Sequence, residues 1–158
     1  MNRRNFLKII AFTTFFLSFN LFSKTKRIVR FKHGVASGDP TPNDVILWTK
    51  VTSNSNSSIL VFYEVSNTID FKNIIASGKQ YTTVGRDFTV KVDARIPNKF
   101  AGQKVFYRFT AEGVYSQIGT TFTLPEDVEN FKLAVFSCSN YPAGYFNAYN
   151  SASKDKSI

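Results

Sequence analysis

Beyond residue 40 the chain is written in short apolar runs cut by turn residues. "VILWTKV" (Val45–Val51) is rich in β-branched and aromatic side chains and follows the turn cluster "GDPTPND". "SILVFYEVS" (Ser58–Ser66) comes after the polar loop "TSNSNS". "DFTVKVDA" (Asp87–Ala94) alternates, with Phe88, Val90 and Val92 on one side. "KVFYRFTAEG" (Lys104–Gly113) sets Val105, Tyr107 and Phe109 against Phe106, Arg108 and Thr110, and "SQIGTTFTL" (Ser116–Leu124) stops at Pro125. A period of two, with turn signals at this spacing, predicts an antiparallel β-sandwich from about Lys32 to Pro125. Val45–Val51 and Lys104–Ala111 are its expected central strands, and Trp48, Tyr107 and Phe109 its expected buried aromatics. No repeat and no sustained helical period is visible before residue 140.

The pattern changes at "FKLAVFS" (Phe131–Ser137). Leu133 to Phe136 are consecutive apolar residues, which predicts a strand buried on both faces. Cys138 and a short polar link follow, then Pro142, a residue suited to a first helical turn. Tyr141, Tyr145 and Tyr149 recur every four residues beside Phe146, predicting a helix with one aromatic face. Strand, link and helix form the opening unit of an α/β layer. Functional groups of such layers gather at the carboxyl ends of strands, where Cys138 stands. A thiolate there is a soft ligand suited to iron or zinc. Read alone, a lone cysteine is more often a small buried hydrophobe than a ligand, and the tyrosine stripe is helix packing.

Composition narrows this picture. The chain has 158 residues, 43% of them apolar, with 17 Phe and 7 Tyr, enough for a real core. Its net charge of +9 would suggest a nucleic-acid or membrane-surface partner, but eight of the 20 basic residues lie within residues 1–32, which hold no acid. The remainder has 12 basic against 11 acidic residues, so no basic face for nucleic acid is expected. A single cysteine excludes an internal disulfide, and a single histidine, His33, excludes a multi-histidine metal site within this chain.

The early charge belongs to a leader. "MNRRNFLKIIAFTTFFLSFNLF" places Arg3-Arg4 and Phe6-Leu7-Lys8 ahead of an apolar stretch, Ile9 to Phe22. As a helix that stretch is ~21 Å long, short of a ~30 Å hydrocarbon core. The charged head and short apolar core read as an export signal over residues 1–30, and the paired arginines resemble a bacterial twin-arginine signal. An ordinary secretory signal or an amphipathic anchor are the alternatives. "LFSKTK" offers no small-x-small cleavage pattern, so an uncleaved leader anchoring the chain to the membrane is also an open reading. Other motifs carry less. "GVASGDP" lacks the Lys-Ser/Thr of a phosphate loop and reads as a turn between strands. Asp39 and Asp44 read as turn caps, and Asn56-Ser57-Ser58 as a plain loop.

The stretches "FKHGVASGDPTPNDVILWTKV", "VFYRFTAEGVYSQIGTTFTLP" and "LAVFSCSNYPAGYFNAY" together resemble the PhoD-type alkaline phosphatases, in order, from about Phe31 to Tyr149. The resemblance implies an exported leader, an immunoglobulin/fibronectin III-like β-sandwich over residues 31–126, and the truncated start of a metallophosphoesterase domain over 127–158. It implies an enzyme that hydrolyses phosphate monoesters and diesters with iron and calcium, in which Cys138 is a ligand to iron. The implied partners are a phosphate-ester substrate and the twin-arginine translocase, and the implied location is the periplasm or cell surface of a bacterium. The family's other site residues are Asp, Asn and His on later strands. Here the one Gly-Asp pair, Gly38-Asp39, belongs to the opening of the sandwich. A dinuclear site must hold its metals and activate a water on them, which one thiolate cannot do. The expectation is therefore an amino-terminal portion without catalysis or bound metal of its own, whether as fragment, split gene or truncated frame. A free-standing β-sandwich binding module at the cell surface is the alternative.

Overall fold

Alternation along the two longest apolar runs decides which side chains meet. In β3 (Asp44–Lys50) Val45, Leu47 and Thr49 are buried, and in β8 (Lys104–Ala111) Val105, Tyr107, Phe109 and Ala111 are buried. These facts come from a computed structural model, which describes residues 27–127, 130 and 132–155. The leader expected over residues 1–30 lies, up to residue 26, outside the described residues.

The body is mainly β. Strand β2 (Val35–Gly38) and β7 (Thr89–Arg95) flank β3 in a three-stranded antiparallel sheet, with Leu47 opposite Val92 and Val45 opposite Ala94. A five-stranded antiparallel sheet runs β10 (Gly119–Phe122), β8, β5 (Ile59–Ser66), β6 (Ile74–Thr82), with β9 (Val114–Tyr115) also on β8. Short β1 (Val29–Arg30) and β4 (Thr52–Ser53) pair with each other. One apolar cluster draws on both larger sheets: Val45, Leu47 and Val90 from one, Val61, Val65, Val105 and Phe109 from the other. Each such side chain withdrawn from water contributes about 1.5–3 kcal/mol before entropy is counted.

Two tyrosines of the five-stranded sheet fill that layer by lying over glycines. Tyr63 is opposite Gly78 and Tyr107 is opposite Gly119. A Cβ at Gly78 would stand 2.5 Å from the Tyr63 ring, and one at Gly119 would also fall inside the Tyr107 ring. Glycine is thus required at both positions by the neighbour's ring, not by its own backbone. Burial raises the pKa of both phenols; the Asp93 carboxylate adds to the rise at Tyr63, whereas a hydrogen bond with Ser37 opposes it at Tyr107.

The central positions of Val45–Val51 and Lys104–Ala111 and the burial of Tyr107 and Phe109 are as the sequence predicts. Trp48 is not. Strand alternation that buries Leu47 and Thr49 turns Trp48 to the opposite face, opposite Lys91, where it is only half-buried. "GVASGDP" is more than a turn, since Val35–Gly38 pairs with Ile46–Thr49. Strand β6 has no counterpart among the predicted runs.

The largest departure is at the carboxyl end. Of the strand expected over Phe131–Ser137, Phe131 lies outside the described residues and 132–137 form no strand. Leu133 and Val135 are 72% and 86% exposed instead of buried on two faces. A strand needs a neighbour for its backbone groups, and neither sheet offers its edge to this segment. The expected tyrosine-faced helix is reduced to α1 (Asn147–Ala152), which leaves Tyr141 and Tyr145 before it and fully in solvent.

Candidate functional site

Cys138, the one residue to which the sequence assigns metal chemistry, sits in this irregular segment. Its backbone is left-handed (φ 57°), unusual for a residue other than glycine, and its thiol is exposed. Local aromatic packing gives the surroundings what order they have. The Phe136 ring lies 4.6 Å from that of Tyr149, which is 5.7 Å from Phe146, while Tyr141 and Phe146 are 5.9 Å apart. Ser139 Oγ and the Tyr149 hydroxyl share a hydrogen bond, and Lys132 Nζ is 3.2 Å from Asp155 Oδ2. Between them is a shallow cleft of about 200 Å³ that includes Cys138, Asn140 and Asn147. Among the described residues no group of three or more His, Cys, Asp or Glu could hold a metal ion. His33 is exposed in the turn that precedes β2, a separate part of the fold.

A second, better-built feature lies on the outer face of the five-stranded sheet, where no sequence motif points to function. The Arg108 guanidinium lies 4.1 Å from the Phe71 ring centroid and 4.4 Å from that of Tyr115, stacked between the two. Its Nε and Nη2 both reach Glu64 Oε2 at 2.8 Å, across the β5–β8 register that sets Glu64 opposite Arg108. Beside this stack is a groove of about 420 Å³ walled by Phe62, Tyr115 and Thr110, with Glu64, Ser77 and Lys79 along it. Phe71 itself has φ 55°, so the loop between β5 and β6 holds a strained backbone where it covers Arg108. Arg108 and Glu64 were legible only as outward positions of two strands. Their pairing depends on register, which no local pattern encodes.

The comparisons with known proteins converge. The model of the family "PhoD-like phosphatase, N-terminal domain" matches residues 18–125. Alkaline phosphatase D of Bacillus subtilis (strain 168) is 31% identical over 138 residues, which are 80% of this chain and 23% of that protein. A solved structure of PhoD aligns with a TM-score of 0.67 at 28% identity, covering 78% of this chain and 25% of that one. The chain therefore spans about a quarter of the length of the relatives it matches. Its mainly β, antiparallel body with little helix is the architecture shared with that structure. With more than half of its residues matched, the chain belongs to the PhoD-like phosphatase family, through that family's amino-terminal domain.

Proposed function

We propose that this chain is the amino-terminal portion of an exported alkaline phosphatase/phosphodiesterase that hydrolyses phosphate esters. The observation that carries the reading is the joint match, in family, sequence and fold, to the leading quarter of alkaline phosphatase D. In this reading the two sheets over 31–126 form an immunoglobulin/fibronectin III-like sandwich, and 127–158 open a metallophosphoesterase domain. The leader addresses the chain to the twin-arginine translocase and so to the periplasm or cell surface, with membrane anchoring where the leader stays uncleaved. No nucleic-acid partner is proposed, since the body is close to neutral.

Iron and calcium are the metals of this reading. The described residues do not make up a site for either, because Cys138 offers one bond and no cluster of donors accompanies it. Cys138 becomes an iron ligand only where further strands bring other ligands to it, and its exposed thiol leaves it accessible to them. A structural iron or calcium site draws several ligands, and water activation needs the metal itself. The 158 residues alone are accordingly expected to hydrolyse no phosphate ester.

The test joins the chain, in frame, to the part of Bacillus subtilis alkaline phosphatase D that follows its matched quarter. The expected result is a chromogenic phosphodiesterase activity in the fusion that needs added iron and calcium, and none in the 158-residue chain. Full activity of the 158 residues alone, or none in a folded, metal-loaded fusion, would overturn the reading. The sheets are complete without residues 132–155, which favours the second reading, a free-standing binding module. That module would remain folded and unchanged in stability when cut after Pro125, and the fusion would gain nothing from it.

A further inference from the structure

The two outer faces of this molecule differ in chemistry. Outward positions of the three-stranded sheet carry Asp44 paired with Arg95, Asp93 beside Ile46, and Lys91 beside Trp48. That is a mostly charged, solvated face. The five-stranded sheet instead points Phe62, Tyr81, Tyr115 and Phe122 outward, 45%, 63%, 56% and 51% exposed. Four exposed aromatics on one sheet face, two of them, Phe62 and Tyr115, lining a groove, are not what a surface meant only for water displays. Aromatic and arginine side chains are the types enriched in protein interfaces, and anchors there fill pockets. Arg108 is already held between Phe71 and Tyr115, so its ordering costs nothing further on association.

The path of the chain says what would cover this face. It leaves the body along β10, at the edge of the same sheet, and Phe122 of that strand belongs to the aromatic face. The exit is pinned: Leu124 N–H donates to Thr41 O at 3.0 Å, Gly102 N–H donates to Leu124 O at 3.0 Å, and Thr123 Oγ1 donates to Phe100 O at 2.6 Å. Gly102, with φ +69°, brings its backbone against Pro125, where a Cβ would stand 3.2 Å from the proline ring. Whatever follows Pro125 therefore starts at this edge in a fixed direction. In the relatives, some three-quarters of the protein lies outside the matched part.

We propose that the outer face of the five-stranded sheet, centred on the groove between Phe62 and Tyr115, is the surface on which the phosphoesterase portion of the same polypeptide docks. This rests on the proposed function. The groove takes an apolar side chain of that portion, and Glu64 Oε1, which the Arg108 pair does not use, accepts a hydrogen bond beside it. A second copy of this chain and a small ligand are the competing occupants.

Hydrogen exchange of the fusion described above tests it, with the 158-residue chain as reference. Peptides containing Phe62 and Tyr115 should exchange about tenfold or more slowly in the fusion, while those containing Lys91 to Arg95 should not change. Phe62→Ser with Tyr115→Ser should abolish that protection while the 158-residue chain still unfolds cooperatively, its midpoint lowered by no more than about 10 °C as Tyr115 leaves the Arg108 stack. An active fusion whose aromatic face exchanges as fast as in the isolated chain overturns the docking surface and leaves the function standing. Protection in an inactive fusion supports the surface and removes the function. Where the fusion does not fold, the separately produced Bacillus portion is mixed with the 158-residue chain. Cross-links confined to the aromatic face support the proposal, and their absence, or cross-links to Lys91 and Arg95, overturns it. Protection already present in the reference chain, rising with its concentration, assigns the face to a second copy and overturns it too.

Discussion

Replacing Gly119 by alanine adds one methyl group in the tightest place of the core. The new Cβ falls within the Tyr107 ring, well inside the 3.0 Å that real Cβ atoms essentially never cross. Tyr107 is 2% exposed and meets the Phe109 ring edge-on at 6.4 Å, so its ring is enclosed in the core. Overpacking of a filled core costs about 1–3 kcal/mol. At roughly 4–8 °C per kcal/mol for a body of this size the midpoint should fall by ~4–24 °C. Thermal unfolding of the 158-residue chain followed by circular dichroism measures it directly. Gly38→Ala is the control: it also lies in a strand, but a Cβ there has nothing within 4 Å, and its midpoint should move by only a few degrees. Combining Gly119→Ala with Tyr107→Leu should cost about 1 kcal/mol or more less than the two changes added, because the clash is then absent. A Gly119→Ala midpoint within about 2 °C of the parent, or strict additivity in the double variant, would refute the ring-over-glycine argument.

Three other outcomes are expected. The Tyr107 phenol has its pKa raised above the ordinary 10.0 by burial, so the folded state resists ionisation while the unfolded chain yields its proton. Its contribution is fully present below pH 10.0 and lost as pH rises toward the folded value; Tyr107→Phe should flatten the fall in midpoint above pH 10, and an unchanged slope would reject the assignment. Changing Arg3 and Arg4 to Lys in a leader fused to a folded reporter should stop export, and continued passage through the general secretory channel would remove the twin-arginine reading. In the phosphatase fusion Cys138→Ser should lower iron content and activity together; full iron without the thiol would make Cys138 a structural cysteine only.

How much of this could be read from the chain itself depends on where each cause lies. Strand β8 was legible to the residue, because its alternation is a local record of one buried and one wet face. At Trp48 side-chain chemistry and strand period disagree. A large aromatic suggests the core, yet its neighbours Leu47 and Thr49 had already claimed the inward direction, and a period of two leaves no choice. Strand β6, "IIASGKQYT", has no apolar alternation to mark it, because its inward row at the strand's middle is Ala76 and Gly78, small residues that make room for side chains such as Tyr63. Its apolar partner is on the neighbouring strand. The Glu64–Arg108–Tyr115 stack was invisible for the same reason, being a product of register between residues 44 positions apart.

Leu133 to Phe136 show the opposite error, an apolar pattern to which no strand corresponds. Four consecutive apolar residues record burial on two faces, but a strand is made by the hydrogen bonds of its neighbours, not by its own side chains. Here Leu133 and Val135 stand in solvent while Phe136, unable to join a sheet, settles on Tyr149. Small aromatic contacts and one ion pair, Lys132 with Asp155, are weak substitutes for a ladder, an exposed pair of this kind adding about 0–1 kcal/mol. Val45–Val51 has the same apolar density, yet it lies between β2 and β7 with Val45 and Leu47 fully enclosed. Amide exchange should therefore separate the two runs by orders of magnitude in the 158-residue chain, fast at 132–137 and slow at Val45–Lys50. Joined to strands that can flank it, the first run should acquire protection of the second kind, and with it a fixed position for Cys138. Slow exchange at 132–137 in the 158-residue chain would mean that the run already has a partner, and would refute the link drawn between its exposure and its unpaired backbone.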